Sequence, residues 1–268
     1  MTCATANMQR ALKFIRAAAL ALAATQFTAS RIAEAAEMRV ISGGAFKQVL
    51  NALVGQYEKQ SGNRVDVTYR TVGQHLKLIA SGGEKFDVAV LTPEAIDNLI
   101  KEGTVVAGSR ADLAKTGIGI VVKEGAPLPD ISTVEAFKRT LLAAKSVAYI
   151  DPAAGGSSGI YVSKLLQRLG IAKEVNDKAV LVHGGEVATH IVDGEAAIGI
   201  HQISEILAVK GAVLVGPLPP EIQNFTVYSA GMSATAENTV AAAALIKFLS
   251  GPHAAPIIKS KGMEPPGS

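Results

Sequence analysis

Arg39-Val40-Ile41-Ser42-Gly43-Gly44-Ala45-Phe46 is a short apolar strand that runs into a Ser/Gly turn and then straight into a helix. A second stretch repeats the pattern. Val147-Ala148-Tyr149-Ile150-Asp151-Pro152 leads to Gly155-Gly156-Ser157-Ser158-Gly159-Ile160-Tyr161. Such a turn aims free backbone N–H groups and a hydroxyl at one point beyond the helix N-terminus. It can hold an anion without any charged side chain.

Outward from these turns, strands and helices alternate. Phe46, Val49, Leu50, Leu53, Val54 and Tyr57 recur at helical spacing and predict an amphipathic helix that ends near Ser61-Gly62. Val65, Val67 and Tyr69 alternate with polar residues as in a half-buried strand, and a short helix is expected around His75 to Ile79. Phe86 to Leu91 reads as a buried strand, followed by a helix opened by Pro93. Ile118 to Val122, Val180 to Val182, Ala196 to Ile200, Val213 to Val215 and Phe225 to Ser229 read as further strands. Ser132 and Glu135 suggest a capping box for the helix carrying Val134, Phe137 and Leu141. Two helices are expected near Thr239 to Leu249 and Pro252 to Lys261. Repeated βα units imply an α/β fold of mostly parallel sheets covered by helices, with ligands beyond the carboxyl ends of the strands. Both Ser/Gly turns lie at such ends.

The ends and the composition narrow the function. Arg10, Lys13 and Arg16 precede a short apolar run, Ala17 to Ala24, and Ala33-Glu34-Ala35 has the small residues of a cleavage site. Residues 1–35 therefore read as a cleavable signal peptide, the apolar run being too short to span a bilayer. That segment holds Arg10, Lys13, Arg16, Arg31 and Glu34, so its removal brings the formal charge of +3 to zero. The basic balance gives no ground for a nucleic-acid partner. The one cysteine, Cys3, leaves with it, so no disulfide or thiol chemistry is expected, in keeping with a bacterial periplasm. Tryptophan is absent, which argues against an aromatic-lined sugar or lipid pocket and for a small polar ligand.

Three catalytic patterns are weighed and set aside. Gly155-Gly156-Ser157-Ser158-Gly159 fits G-x-S-x-G, but Asp151 to Gly156 separate the serine from its strand, and no Asp-then-His pair follows at usable spacing. No Gly-Lys-Ser/Thr follows the glycines, so they are not a phosphate-binding P-loop. His183, His190 and His253 do not cluster with each other or with acids, so neither a metal site nor a cofactor is expected.

The order and spacing of Ser42-Gly43-Gly44-Ala45, Gly82 to Leu91, Gly117 to Val122, Ser157-Ser158-Gly159-Ile160-Tyr161 and Ala197-Ile198-Gly199-Ile200 resemble type 2 periplasmic solute-binding proteins of the molybdate-binding family. The resemblance covers essentially the whole chain after residue 35. It implies two lobes, 38–117 with 230–268 and 118–229, joined by crossover strands near Thr116 to Ile120 and Tyr228 to Met232. It also implies a monomer that closes on a small anion and delivers it to an ABC permease. Carried over by position, Ser42 with Gly43 and Gly44, Thr71, Ser158 beside Ser157, and Val187 would supply hydroxyl or backbone donors. The family places a tyrosine where this chain has His201, and Arg70 also departs from a site built of neutral donors. Both suit a carboxylate, which a guanidinium forks in bidentate fashion. The chain is also similar to the periplasmic aconitate isomerases, which move a proton along a tricarboxylate. Under that resemblance His201, Glu186 and His75 are the candidate bases.

Overall fold

A computed structural model describes residues 35–267; residues 1–34 of the expected signal segment lie outside them. Strand β1 (Glu37–Gly43) is flanked in parallel by β2 (Arg64–Arg70) and β3 (Val88–Leu91). Beyond β3 comes β9 (Phe225–Met232), antiparallel, and then β4 (Ala111–Lys123). The sheet continues through β7 (Ile198–Gln202), β5 (Val147–Ile150) and β6 (Ala179–Val182), while β8 (Ala212–Pro217) pairs with β4. The expected α/β architecture is present. Half of the pairings are antiparallel, and every one of these involves β4 or β9, the long strands that carry the chain from one half of the sheet to the other.

β4 changes partners along its length. Residues from Ala111 to Gly117 pair with β9, and residues from Ile118 onward pair with β7 and β8. It is thirteen residues long, far more than the Ile118–Val122 segment expected, because its first half alternates only weakly in polarity.

The helices follow from local chemistry. Helix α1 (Lys47–Ser61) buries Val49, Leu50, Leu53, Val54 and Tyr57 and stops at Gly62, whose φ of 74° a side chain would disfavour. Helix α2 (Val72–Ala80) starts three residues before the expected His75. Thr71 and Gln74 form a reciprocal capping box there, with bonds of 3.1 and 3.0 Å. Helix α3 (Pro93–Lys101) has proline in its first turn, where no N–H is needed. Helix α4 (Val134–Ala143) is capped by Thr133, which accepts from the Ala136 N–H at 3.1 Å. The capping box expected from Ser132 does not form, because the Ser132 amide and hydroxyl both turn to Asp130 Oδ1. Helix α5 (Ser157–Arg168) docks so closely on the end of β5 that a Cβ at Gly159 would stand 2.2 Å from the Ile150 carbonyl oxygen. The remaining helices are α6 (Ala172–Asn176), α7 (Val187–Val192), α8 (Ile203–Ile206), α9 (Thr239–Leu249) and α10 (Ala254–Ser260).

The buried apolar residues form separate clusters. Phe46, Leu50, Leu53, Val90, Leu245, Leu249 and Ile258 lie in one, with Ile41, Ile96 and Leu99 in a second on the opposite face of the same strands. Ile118, Phe137, Tyr149, Leu165 and Ile200 lie in another, with Val121, Ile150, Val187 and Ile206 across the sheet from them.

Candidate functional site

The carboxyl ends of β1, β2, β5 and β7 open into one cavity of about 160 Å³. A cavity of this size suits a small molecule and not a peptide or an oligosaccharide. The Gly43-Gly44-Ala45 turn forms one wall and Gly156-Ser157-Ser158 the facing one, with Gly185 and Glu186 between. The two Ser/Gly turns, more than a hundred residues apart in sequence, therefore face the same space.

Most of the expected site residues meet there. Gly43, Gly44, Arg70, Thr71, Ser157, Ser158, Glu186 and His201 all line the cavity. Gly43 is required by packing: a Cβ would fall 2.6 Å from the Tyr228 ring. Ser157 is the first residue of α5 and not its cap, a place taken by Gly156. Its hydroxyl instead accepts from Gln202 Nε2 at 2.8 Å. Arg70, at the end of β2, keeps its Nε 3.5 Å from Glu84, and its side chain is 41% exposed. No hydrogen bond among the described residues engages its terminal nitrogens, which leaves a guanidinium edge available to the cleft.

The Ser42 hydroxyl and the His75 ring turn away from the cavity. The Ser42 hydroxyl is fully buried and donates back to the Gly43 carbonyl at 3.1 Å. Val187, expected as a backbone donor, is the first residue of α7, and its side chain packs into the core beside Gly199. His75 is completely buried beneath the cleft, its Nδ1 2.7 Å from Glu84 and its Nε2 3.1 Å from the Ser42 carbonyl. With both ring nitrogens engaged away from the cavity, His75 is not a base for a bound molecule. It acts as a strut that holds Glu84, and through it Arg70.

Lys47, Gln202, Glu205 and Tyr228 are among the cleft residues that the sequence reading did not single out. Lys47 opens α1, pairs with Glu186 at 3.1 Å and lies 5.8 Å over the Tyr69 ring. Gln202 bridges Ser157, Thr226 and Tyr228 through its Nε2, while its Oε1 is buried without a partner. Glu205 reaches into the cleft from α8, its Oε2 3.2 Å from His201 Nε2. The one sequence signal for it is the four-residue step from His201 across the strand-to-helix junction. His201 is buried, and its Nδ1 has no partner among the described residues.

Burial dominates the electrostatics of this pair. It pushes His201 down to about 3 and Glu205 up to about 8, the latter raised further by the charge of Glu186 and pulled back by Lys47. Near neutral pH both side chains are therefore uncharged. Burial also raises the Tyr228 hydroxyl, which remains a neutral donor.

The walls touch directly. Gly73 N–H donates to the Gly155 carbonyl at 3.0 Å, Thr71 Oγ1 donates to the Ala154 carbonyl, and Gln74 Nε2 donates to the His183 carbonyl at 3.2 Å. On the side of Ala45, Ser204 Oγ donates to its carbonyl at 2.9 Å.

Comparison with known proteins adds four findings. Residues 38–264 match the family described as bacterial extracellular solute-binding protein. An aconitate isomerase from Pseudomonas sp. is 34% identical over 252 residues, covering 92% of this chain and 94% of that protein. The molybdate-binding protein ModA of Azotobacter vinelandii is 27% identical over 241 residues, covering 86% and 90%. The solved structure of the periplasmic molybdate-binding protein from Azotobacter vinelandii superposes with a TM-score of 0.74 at 20% identity, over 85% of this chain and 99% of that one.

Proposed function

The chain belongs to the bacterial extracellular solute-binding protein family, and on that premise we propose that it captures a small organic anion with two or more carboxylates between two lobes. The observation that carries this reading is the cavity itself. Two backbone-rich turns face each other across it, and the unengaged edge of Arg70 stands at its rim. Backbone N–H groups at Gly43-Gly44 and Ser158 and the Thr71 and Ser157 hydroxyls receive the anion; Arg70 and Lys47 favour carboxylates over a spherical oxyanion. The name of the ModA relative supports an oxyanion-type site. The added cations and the pairing of His201 with Glu205 favour an organic ligand.

The lobes of this reading are 38–117 with 230–268, and 118–229, hinged where β4 and β9 cross. The apolar clusters support the boundary at Gly117, since residues on either side of it enter different ones, while Tyr228 enters the first-lobe cluster and β9 pairs with β3 and the first half of β4. The touching turns correspond to the closed form. The reading places the protein in the periplasm as a monomer that presents its closed surface to an ABC permease. Calorimetry with molybdate, tungstate, sulfate, phosphate, citrate and trans-aconitate tests the ligand class. Binding of molybdate and tungstate alone would overturn the organic-anion reading.

A second reading, catalysis of a 1,3-proton shift on a tricarboxylate, is favoured by one observation besides the relative's name. His201, uncharged near neutral pH, lines the anion cavity, and no described residue engages its Nδ1. In that reaction the imidazole removes a proton from a carbon next to a carboxylate. The double bond moves by one position and the same proton returns to the far carbon, so the composition is unchanged. Incubation with cis- or trans-aconitate, followed by proton NMR, tests it, and no interconversion at high protein concentration would reject it.

A further inference from the structure

Glu205 is a carboxyl group at the floor of a cleft read as an anion site, and an ionised carboxylate there would repel its guest. Its setting is specific. Oε2 lies 3.2 Å from His201 Nε2. Oε1 lies against Gly44, where an added Cβ would meet it at 2.6 Å. The glycine of the first anion turn thus leaves the space that this oxygen fills. The carboxyl is 12% exposed. No backbone N–H is among the groups that stabilise its charge.

We propose that Glu205 joins the ligand complex as a neutral acid, with Oε2 set beside His201 Nε2 and its own proton donated from Oε1 to an oxygen of the bound anion. It is then a specificity-determining residue. It rewards a ligand whose facing oxygen is fully deprotonated, through a charge-assisted O–H···O⁻ bond, and penalises one that presents a hydroxyl hydrogen there. The inference rests on the anion-site reading above. Capture of the anion is linked to one proton.

The surrounding charges agree. Facing Glu205 are His201 from β7, Glu186 from the loop before α7, Lys47 from α1 and Tyr228 from β9, with Arg70 at the end of β2 on the same cavity. Lys47 already pairs with Glu186 and Arg70 with Glu84. Lys47 favours ionisation of Glu205, but burial and the charge of Glu186 outweigh it. Burial and Glu186 hold its proton up to about pH 8.

The test uses calorimetry with trans-aconitate, all of whose carboxyls are ionised above pH 7, on the parent chain and Glu205→Gln between pH 6.5 and 9.5. In the parent the affinity is expected to be level up to about pH 8 and then to weaken about tenfold per pH unit, with proton uptake read from buffers of different ionisation heat. Glu205→Gln, which keeps an N–H donor, should lose the slope. A level parent profile, or a slope that survives in Glu205→Gln, would overturn the inference. Should trans-aconitate bind at no pH, the carboxylate reading falls on its own. The ¹³C carboxyl resonance of Glu205 in the free protein, assigned by its loss in Glu205→Gln, then decides: a midpoint above pH 7 supports the neutral acid, and one near 4.5 overturns it.

Discussion

Replacing Gly73 with alanine separates closure of the cleft from stability of the fold. Gly73 is the second residue of α2, and its N–H bonds the Gly155 carbonyl across the cleft at 3.0 Å. A Cβ at Gly73 would stand 2.7 Å from the Gly155 α-carbon and 3.2 Å from its oxygen. Carbon atoms attract best at about 3.5–4.0 Å, so the turns must part by roughly 1 Å. The neighbouring bonds from Thr71 to Ala154 and from Gln74 to His183 share that approach. At about 1 kcal/mol each, losing one to all three bonds weakens the closed form by about 1–3 kcal/mol, or roughly 5- to 150-fold in Kd. The helix gains over the same change. Gly73 lacks a positive φ, and alanine in place of glycine favours a helix by about 0.5–1 kcal/mol. Calorimetry with whichever of trans-aconitate, citrate or molybdate binds the parent, together with melting of the ligand-free protein, separates the two effects. The expected outcome is weaker binding with an unchanged or higher melting temperature. Binding within twofold of the parent, or a ligand-free protein that melts many degrees lower, would refute the reasoning.

Three further outcomes follow from the same geometry. Arg70→Ala should weaken trans-aconitate by about 1.5–3 kcal/mol, the range of a charge-assisted hydrogen bond, and a calorimetric change below twofold would remove Arg70 from the site. Stability should depend on pH through the buried pair. The folded chain retains the Glu205 proton to about 8 while the unfolded chain loses it near 4.5, and the folded chain refuses the His201 proton until about 3 while the unfolded chain takes it near 6.5. The two slopes cancel between 4.5 and 6.5; stability falls by about 1.4 kcal/mol per pH unit from 6.5 toward 8, and again below 4.5. Urea midpoints across this range, compared with Glu205→Gln, which should lose the alkaline fall, check the assignment. Gly159→Ala should destabilise by about 3 kcal/mol or more, since its Cβ meets the Ile150 carbonyl at 2.2 Å, whereas Gly55→Ala, with open space around it in α1, should gain about 1 kcal/mol. Equal denaturation midpoints for the two variants would contradict this.

Residues whose neighbours are close in sequence were readable. The spacing from Phe46 to Tyr57 defines α1, and Gly62 ends it. Both Ser/Gly turns follow from strand, glycine and helix in immediate succession, and Arg70 and His201 stand out at strand ends. Glu205 was hidden because Ile203-Ser204-Glu205-Ile206 looks like any half-exposed helical turn. Its burial comes from Gly44, far earlier in the chain. Lys47 was hidden for the same reason, its partner Glu186 belonging to a distant loop. His75 entered as a candidate base under the isomerase resemblance, and only the packing of α2 against β1 turns it inward. The first half of β4 carries little pattern of its own, because it borrows its register from β9. What long-range pairing determines, local spacing does not record.

The position of β9 between β3 and β4 also governs how the chain is made. Val88 pairs with Met232, and the core that receives Phe46 and Leu50 is completed by Leu245, Leu249 and Ile258. A nascent chain that has passed β3 has the start of a sheet but lacks both its next strand and the helices that cover it. Contacts of such long sequence separation form slowly and late. The segment 118–222, by contrast, holds a core drawn entirely from its own residues. That middle segment can order itself while the first strands are still waiting, and the N-terminal half becomes a folded body only when the last helices arrive to close it.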